Sequence, residues 1–271
     1  MAHALVFSPV LILLPPSEGK TAPRRGKPLE LGTLSSPGLT PARERVLDAL
    51  VSLCSGDPAE AAKVLDLPKT QADLVELNAS LRTAPTARAD AVYSGVLYDA
   101  LGLATLPAAA RRRATSRVRV VSSLFGLVGP TDRIPAYRLS GDAVLPGVGS
   151  VAGVWRDVLG PEVSDLVGDG LLVDLRSGMY AAFWRPAATP LSVRGRVATV
   201  RVLHEVAGRR QVVSHFNKAT KGRIVRALLE DGANPRTPAA LAGVLRDLGW
   251  AVEVADGPRG VVQLDVVVAE L

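Results

Sequence analysis

The feature that most limits this chain is an apolar run that stops on two prolines. Residues 10–16 read "VLILLPP". The run is too short for a buried helix and has no polar alternation, so a fully buried strand is expected over about residues 10–14. The next residues, "SEGKT", contain Gly19-Lys20-Thr21, the tail of a phosphate-binding loop. The full loop needs a glycine where Leu14 stands, and Pro15 and Pro16 have no N–H to offer a phosphate. A helix should open directly after Thr21, yet the chain continues "APRRGKP". A nucleotide-hydrolysing P-loop is therefore excluded, and Ser17, Glu18, Lys20 and Thr21 remain as a polar group at the end of a first strand.

Composition limits the class. The chain has 271 residues, 48% of them hydrophobic, enough to bury a sizeable core and too many for a disordered protein. No apolar run reaches the roughly 18–20 residues of a membrane span. The opening "MAHALVFSPVLILLPP" lacks a basic leader and a small-residue cleavage site, and Ser8-Pro9 splits its apolar part. A single cysteine, Cys54, leaves no internal disulfide and no thiolate metal site. The expectation is a cytoplasmic protein with no membrane partner. A formal charge of +6 favours polyanionic partners. Of 32 basic residues only six are lysine, and Lys20, Lys218 and Lys221 fall in the two most polar stretches. Where arginine is the default cation, a lysine points to a need for its ammonium group.

Strand and helix patterns alternate without a regular repeat. Helices are expected from Thr40 to about Leu53, over "AEAAKVLDL" and "TQADLVELNASLRT", within "VLYDALGLATL", over "VAGVWRDVLGPEV", over "KGRIVRALLE" and over "TPAALAGVLRDLG". Strands are expected at "VRVVSS", "GLLVDLRS", "VRVLHEVA" and "RRQVVSHF", and a terminal hairpin from "WAVEVADG" and "GVVQLDVVVAE". The reading is α+β: a mixed β-sheet flanked by helices, in a single domain over residues 1–271.

Two glycine stretches resemble the turn of a DNA-binding helix–hairpin–helix, in which backbone amides meet phosphate. "LFGLVGPTDRIPAYR" supplies Gly126 and Gly129 with Arg133 and Arg138 nearby; "LPGVGSVAGVWR" supplies Gly147 and Gly149 before a helix. "SHFNKATKGRIVRALLE" crowds Ser214, His215, Lys218, Lys221 and Arg226 at a strand-to-helix junction, and a helix opening near Lys218 would be an anion site. "DLRSGMYAAFWRP" puts Ser177 and Tyr180 at a strand end, where α/β sheets present ligands. The histidines His3, His204 and His215 have no metal-ligand spacing, so no metal and no cofactor is expected.

These blocks, in this order, resemble the YaaA peroxide-stress protein family over nearly the whole chain. The matching positions are Lys20 and Thr21 in "LILLPPSEGKT"; Tyr93 and Gly95 in "VYSGVLYDAL"; Gly126, Gly129, Pro130, Tyr137 and Arg138 in "SSLFGLVGPTDRIPAYRL"; Trp155; Ser177 and Tyr180; and Lys218, Gly222 and Arg226. The resemblance implies an α+β fold with a basic cleft, a helix–hairpin–helix-like element, binding to duplex DNA and limitation of free-iron damage. This chain departs from the family pattern at Glu18 and Gly19.

Two functions follow as expectations. One is a DNA-binding protein of the peroxide-stress response. Its phosphate contacts would be Ser17, Lys20, Thr21, Gly126, Gly129, Arg133, Arg138, Gly147, Gly149, Lys218, Lys221 and Arg226. The other is an enzyme acting on a nucleotide, nucleobase or other phosphorylated small molecule in the same cleft, with Glu18, Lys20, Ser177, Tyr180 and Lys218 as candidate catalytic groups.

Overall fold

A computed structural model describes residues 8–186, 189–190, 195–206, 209–211, 214–257 and 260–269. The strands are β1 (Leu11–Leu14), β2 (Ala87–Arg88), β3 (Val118–Ser122), β4 (Gly126–Val128), β5 (Arg133–Ile134), β6 (Val144–Leu145), β7 (Gly149–Ser150), β8 (Leu172–Asp174), β9 (Val197–Val206), β10 (Arg209–Gln211), β11 (Ala251–Asp256) and β12 (Val262–Val268). The helices are α1 (Thr40–Cys54), α2 (Pro58–Val64), α3 (Asp73–Ala79), α4 (Ala89–Val92), α5 (Val96–Leu101), α6 (Ala108–Arg117), α7 (Val151–Val167), α8 (Gly178–Ala181), α9 (Ser214–Asp231) and α10 (Pro238–Asp247).

The expected first strand is β1, and all four of its residues are buried. It lies inside an eight-stranded sheet of order β11-β12-β9-β8-β1-β3-β4, with β10 added beside β9. β12, β9, β8, β1 and β3 run parallel. Antiparallel β4 and β11 close the two edges, so the sheet is mixed and the fold is α+β. A central parallel strand has no solvent face, which is why "LILL" carries no polar residue.

The order of the parallel strands positions the site. From β1 the chain crosses to β3 on one side, then returns past β1 to β8 on the other. This reversal is a topological switch point, where loops leave adjacent carboxyl ends in opposite directions and open a crevice. The segments beside it are Pro15–Lys20 after β1 and Leu175–Tyr180 after β8. Local signals behave as expected elsewhere. Thr237 caps α10 by accepting from the Ala240 amide at 3.1 Å, and β11 and β12 pair as the terminal hairpin. Two expectations are corrected here: the strand expected over "RRQVVSHF" gives way to helix at Ser214–Phe216, and because α9 begins at Ser214, Lys218 lies a full turn inside it and not at its start.

Candidate functional site

Pro15 and Pro16 turn the chain out of the sheet, and the loop folds back on itself. Ser17 Oγ donates to Gly19 O at 2.6 Å and accepts from the Ser94 amide at 3.2 Å. Lys20 makes a β-bridge with Tyr93, and the Thr21 amide donates to Val92 O at 2.8 Å. The β1 loop is thereby fixed against the end of α4. Lys20 Nζ donates to Ser17 O at 2.7 Å and Glu18 O at 3.3 Å, and lies 4.1 Å from the centre of the Tyr137 ring. Burial, aided by the positive charge of Arg138 and opposed by Glu18, brings its pKa down to about 7.

The chain has four tyrosines, and two of them, Tyr93 and Tyr137, set their rings beside this lysine. Tyr93 stacks on Tyr98 with ring centres 5.3 Å apart, and its hydroxyl lies 3.2 Å from that of Tyr137. The Tyr137 hydroxyl is 2.7 Å from Ser122 Oγ at the end of β3, and Tyr98 donates to Pro15 O at 2.7 Å. Burial raises the pKa of Tyr93, Tyr98 and Tyr137 well above the usual phenol value. Tyr180 completes the group from the β8 side. Burial, reinforced by the Glu18 carboxylate, raises its pKa to about 12. Four neutral phenols and one near-neutral amine thus occupy the carboxyl ends of β1, β3 and β8.

Beside them is a cavity of about 280 Å³. Glu18, Gly19 and Lys20 form its floor; Gln71, Leu74 and Leu77 form one wall; Ala136, Tyr137 and Arg138 form the other. Arg138 faces Glu18 across 3.6 Å. Its backbone is held by Asn78, whose amide nitrogen donates to Arg138 O at 2.7 Å and whose oxygen accepts from Arg138 N at 2.9 Å. The arrangement offers two cationic groups, one of them able to lose its proton, above an apolar wall.

Other candidates lie elsewhere. The "LFGLVG" stretch is the β3–β4 turn and a buried strand of the main sheet, not a helical hairpin. Gly126 has φ +70°, and a Cβ there would come within 2.6 Å of the Trp155 ring, so the glycine serves packing. The Gly129 amide already donates to Asp132 Oδ2 at 2.8 Å and has no N–H left for phosphate. Gly147 lies in the turn of the short β6–β7 hairpin, and Gly149 opens β7 opposite Leu145, just before α7. Neither glycine turn lies between two helices, so the helix–hairpin–helix expectation is corrected in both places. Arg133 donates to Thr86 O at 2.7 Å. Arg226 binds Thr105 Oγ1 at 2.9 Å and pairs with Glu230 at 2.8 Å. Lys218 is exposed on α9.

Lys221 is the α9 lysine that reaches the carboxyl end of the sheet, donating to Leu175 O at 3.0 Å. Burial lowers its pKa, and Asp174 opposes the shift. Ser177 precedes α8 without a side-chain capping bond. His3 and the side chains of Ser214 and His215 lie outside the described residues. Among the described residues no three His, Cys, Asp or Glu side chains are grouped as metal ligands.

Four contributors carry no signal in the sequence. Asn78 and the Leu74–Leu77 wall sit in α3, which has no polar motif to notice. Tyr98 lies inside an ordinary amphipathic helix pattern, where an aromatic residue reads as core. The fully buried Arg43 holds the β3–β4 turn by donating to Phe125 O and Leu127 O, both at 2.9 Å, and to Ser35 O at 2.6 Å.

The family described as "Peroxide stress protein YaaA" matches residues 10–255. The chain belongs to the YaaA peroxide-stress family. Among its relatives, a UPF0246 protein of Streptomyces coelicolor is 52% identical over 97% of this chain and 100% of its own length. A UPF0246 protein of Corynebacterium efficiens is 40% identical over 95% of this chain and 100% of its own. A more distant UPF0246 protein, from Shewanella loihica, is 28% identical over 75% of this chain and 80% of its own. No helix among the described residues is long and apolar enough to cross a membrane.

Proposed function

We propose that this YaaA-family chain acts in the peroxide-stress response by binding duplex DNA, with one anionic, nucleotide-sized group received between Lys20 and Arg138. The observation that carries this reading is the exposed basic run that follows Lys20 along the chain. Arg24, Arg25 and Lys27 follow Lys20 on the same segment and are exposed. Thr86 ties that segment to the β2–β5 pair: its hydroxyl donates to Lys27 O at 2.8 Å, and its carbonyl accepts from Arg133 at 2.7 Å. Arg88 and Arg133 stand opposite each other in that pair, but Arg88 is ion-paired with Asp90 at 2.6 Å and Arg133 is held on Thr86 O, so Arg24, Arg25 and Lys27 carry the exposed charge. Exposed cations of this kind make phosphate contacts that position a duplex without reading its sequence.

Limitation of free-iron damage enters as a consequence of covering DNA. Burial keeps the phenols of Tyr93, Tyr98 and Tyr137 protonated, whereas iron takes a phenol oxygen only as phenolate, so direct iron binding is not part of this reading. A second reading, an enzyme acting on a nucleotide, nucleobase or other phosphorylated small molecule in the same pocket, is favoured by Lys20. An amine with a pKa of about 7 can give or accept a proton, which a simple clamp does not need.

The test is a titration of fluorescent duplex DNA across a salt series. Binding should weaken steeply with salt, and replacing Arg24, Arg25 and Lys27 by alanine should lower the log–log slope by about 0.9 for each phosphate the variant fails to neutralise. Affinity that does not change with salt would refute the DNA reading. Intact DNA binding in Lys20→Ala and Arg138→Ala, combined with abolished binding of mononucleotides, would favour the enzyme.

A further inference from the structure

We propose that Lys20 is a nucleophile that captures the carbonyl carbon of an aldehyde-bearing sugar phosphate as an imine. This rests on the reading that the pocket takes an anionic ligand, and it names the reactive group of that ligand.

The geometry is specific to an amine. Lys20 Nζ borders the 280 Å³ cavity and has two backbone carbonyl acceptors, Ser17 O at 2.7 Å and Glu18 O at 3.3 Å. A neutral amine has two N–H bonds and one lone pair, so these acceptors satisfy both hydrogens and leave the lone pair uncommitted. Arg138, in the facing wall, supplies a permanent charge for a phosphate. Glu18, exposed at the floor, is placed to carry protons between the site and water. The groups that face the amine are Glu18, Arg138, Tyr93 and Tyr137. Burial outweighs the rest, and the amine is about half neutral near pH 7. In a chain with 32 basic residues and six lysines, an arginine would anchor an anion equally well; only lysine can attack carbon.

The step balances without a further reagent. The lone pair forms an N–C bond to the carbonyl carbon, giving a carbinolamine. The C–O bond then breaks, both N–H hydrogens leave with the oxygen as water, and a C=N bond remains. A carbonyl of this kind occurs in free sugar phosphates and in the ring-opened deoxyribose of an abasic DNA site.

The experiment incubates the full chain with cyanoborohydride and one of four probes: glyceraldehyde 3-phosphate, glycerol 3-phosphate, a duplex with one abasic site, or the same duplex intact. Peptide mass mapping then locates reduced adducts. We expect labelling of Lys20 at least tenfold above the exposed Lys27, Lys63 and Lys218. Its rate should rise with pH through a midpoint near 7, and glycerol 3-phosphate should slow it. A folded Lys20→Arg variant should lose it. Labelling with the free aldehyde alone, or with the abasic duplex as well, identifies the source. Labelling spread evenly over surface lysines would overturn the proposal. Binding of glycerol 3-phosphate without any Lys20 adduct would overturn the imine and leave the anion pocket standing. Failure to bind either phosphate, in a folded protein, would refute both.

Discussion

Asn78 pairs both atoms of its side-chain amide with the backbone of Arg138, at 2.7 and 2.9 Å, and so stands in for a neighbouring β-strand. One buried residue of α3 therefore sets the position of the cationic pocket wall. Asn78→Ala would leave a buried N–H and a buried C=O unpaired, at a cost of about 2–4 kcal/mol. Urea unfolding should show that loss. Ligand affinity at the pocket should fall as well, since Arg138 is no longer held against Glu18. Full stability in the variant would contradict this role for Asn78.

Lys20 gives the protein a pH signature. Its pKa is about 7 when folded and 10.5 in a model peptide, so between these values the unfolded chain holds a proton that the folded chain lacks. Stability must then rise with pH across that window. The penalty for burying the ammonium is complete below pH 7 and is relieved towards pH 10.5. Above about pH 10 the buried tyrosines act in the opposite direction, because their raised pKa values make the folded state hold the extra protons. Denaturant titrations at pH 6 to 9.5 should show wild type gaining on Lys20→Met. Parallel curves would mean the lysine is not desolvated.

Gly222 lets α9 lie directly on α5. A Cβ at this position would come within 2.3 Å of Leu97 O and 3.0 Å of the Leu101 amide nitrogen. Backbone atoms cannot step aside as a side chain can. Gly222→Ala should therefore force the helices apart and destabilise the fold by roughly 1–3 kcal/mol. A thermal melt of the variant decides the point, and an unchanged midpoint would contradict the close packing.

The Asp174–Arg176 pair anchors the loop after β8. The two side chains are 8% and 0% exposed and meet at 2.7 Å. Arg176 also donates to Trp184 O at 2.9 Å and Tyr180 O at 3.1 Å, which fixes the Tyr180 loop. Burial disfavours the Asp174 carboxylate, yet the charge and hydrogen bonds of Arg176 hold its pKa below the usual value. Its contribution is thus present above the ordinary carboxylate range and lost as pH falls through the depressed pKa. Asp174→Ala would strand a buried guanidinium, at a cost of about 3–5 kcal/mol. Its acid-unfolding curve should lose the component seen in wild type.

The elements were legible wherever their cause is local. The double proline after "LILL", the Thr237-Pro238 helix start and the apolar alternation of the last two strands act within a few residues. The structure carries each of them as expected. The glycine turns were misread because "LFGLVG" has the spacing of a helical hairpin, while its surroundings make it a strand. Trp155, which packs on Gly126, arrives from α7. The start of α9 lies earlier than expected because "RRQVVSHF" reads as one strand up to Phe216, and the helix from Ser214 is set by packing on α5.

The sequence by itself determined the α+β class, the exclusion of a P-loop and the polar loop at the end of the first strand. It also picked out Lys20 as an unusual cation in an arginine-rich chain. Tertiary structure decided which charges are buried against other elements and which stand at a cavity. Arg43, Arg176 and Arg226 bind backbone carbonyls, whereas Arg138 and Lys20 border a cavity. It also placed two tyrosines distant in sequence, Tyr93 and Tyr137, beside one amine. A cation's partner and its degree of burial depend on elements far away in sequence, and only the packed sheet and helices bring those elements together.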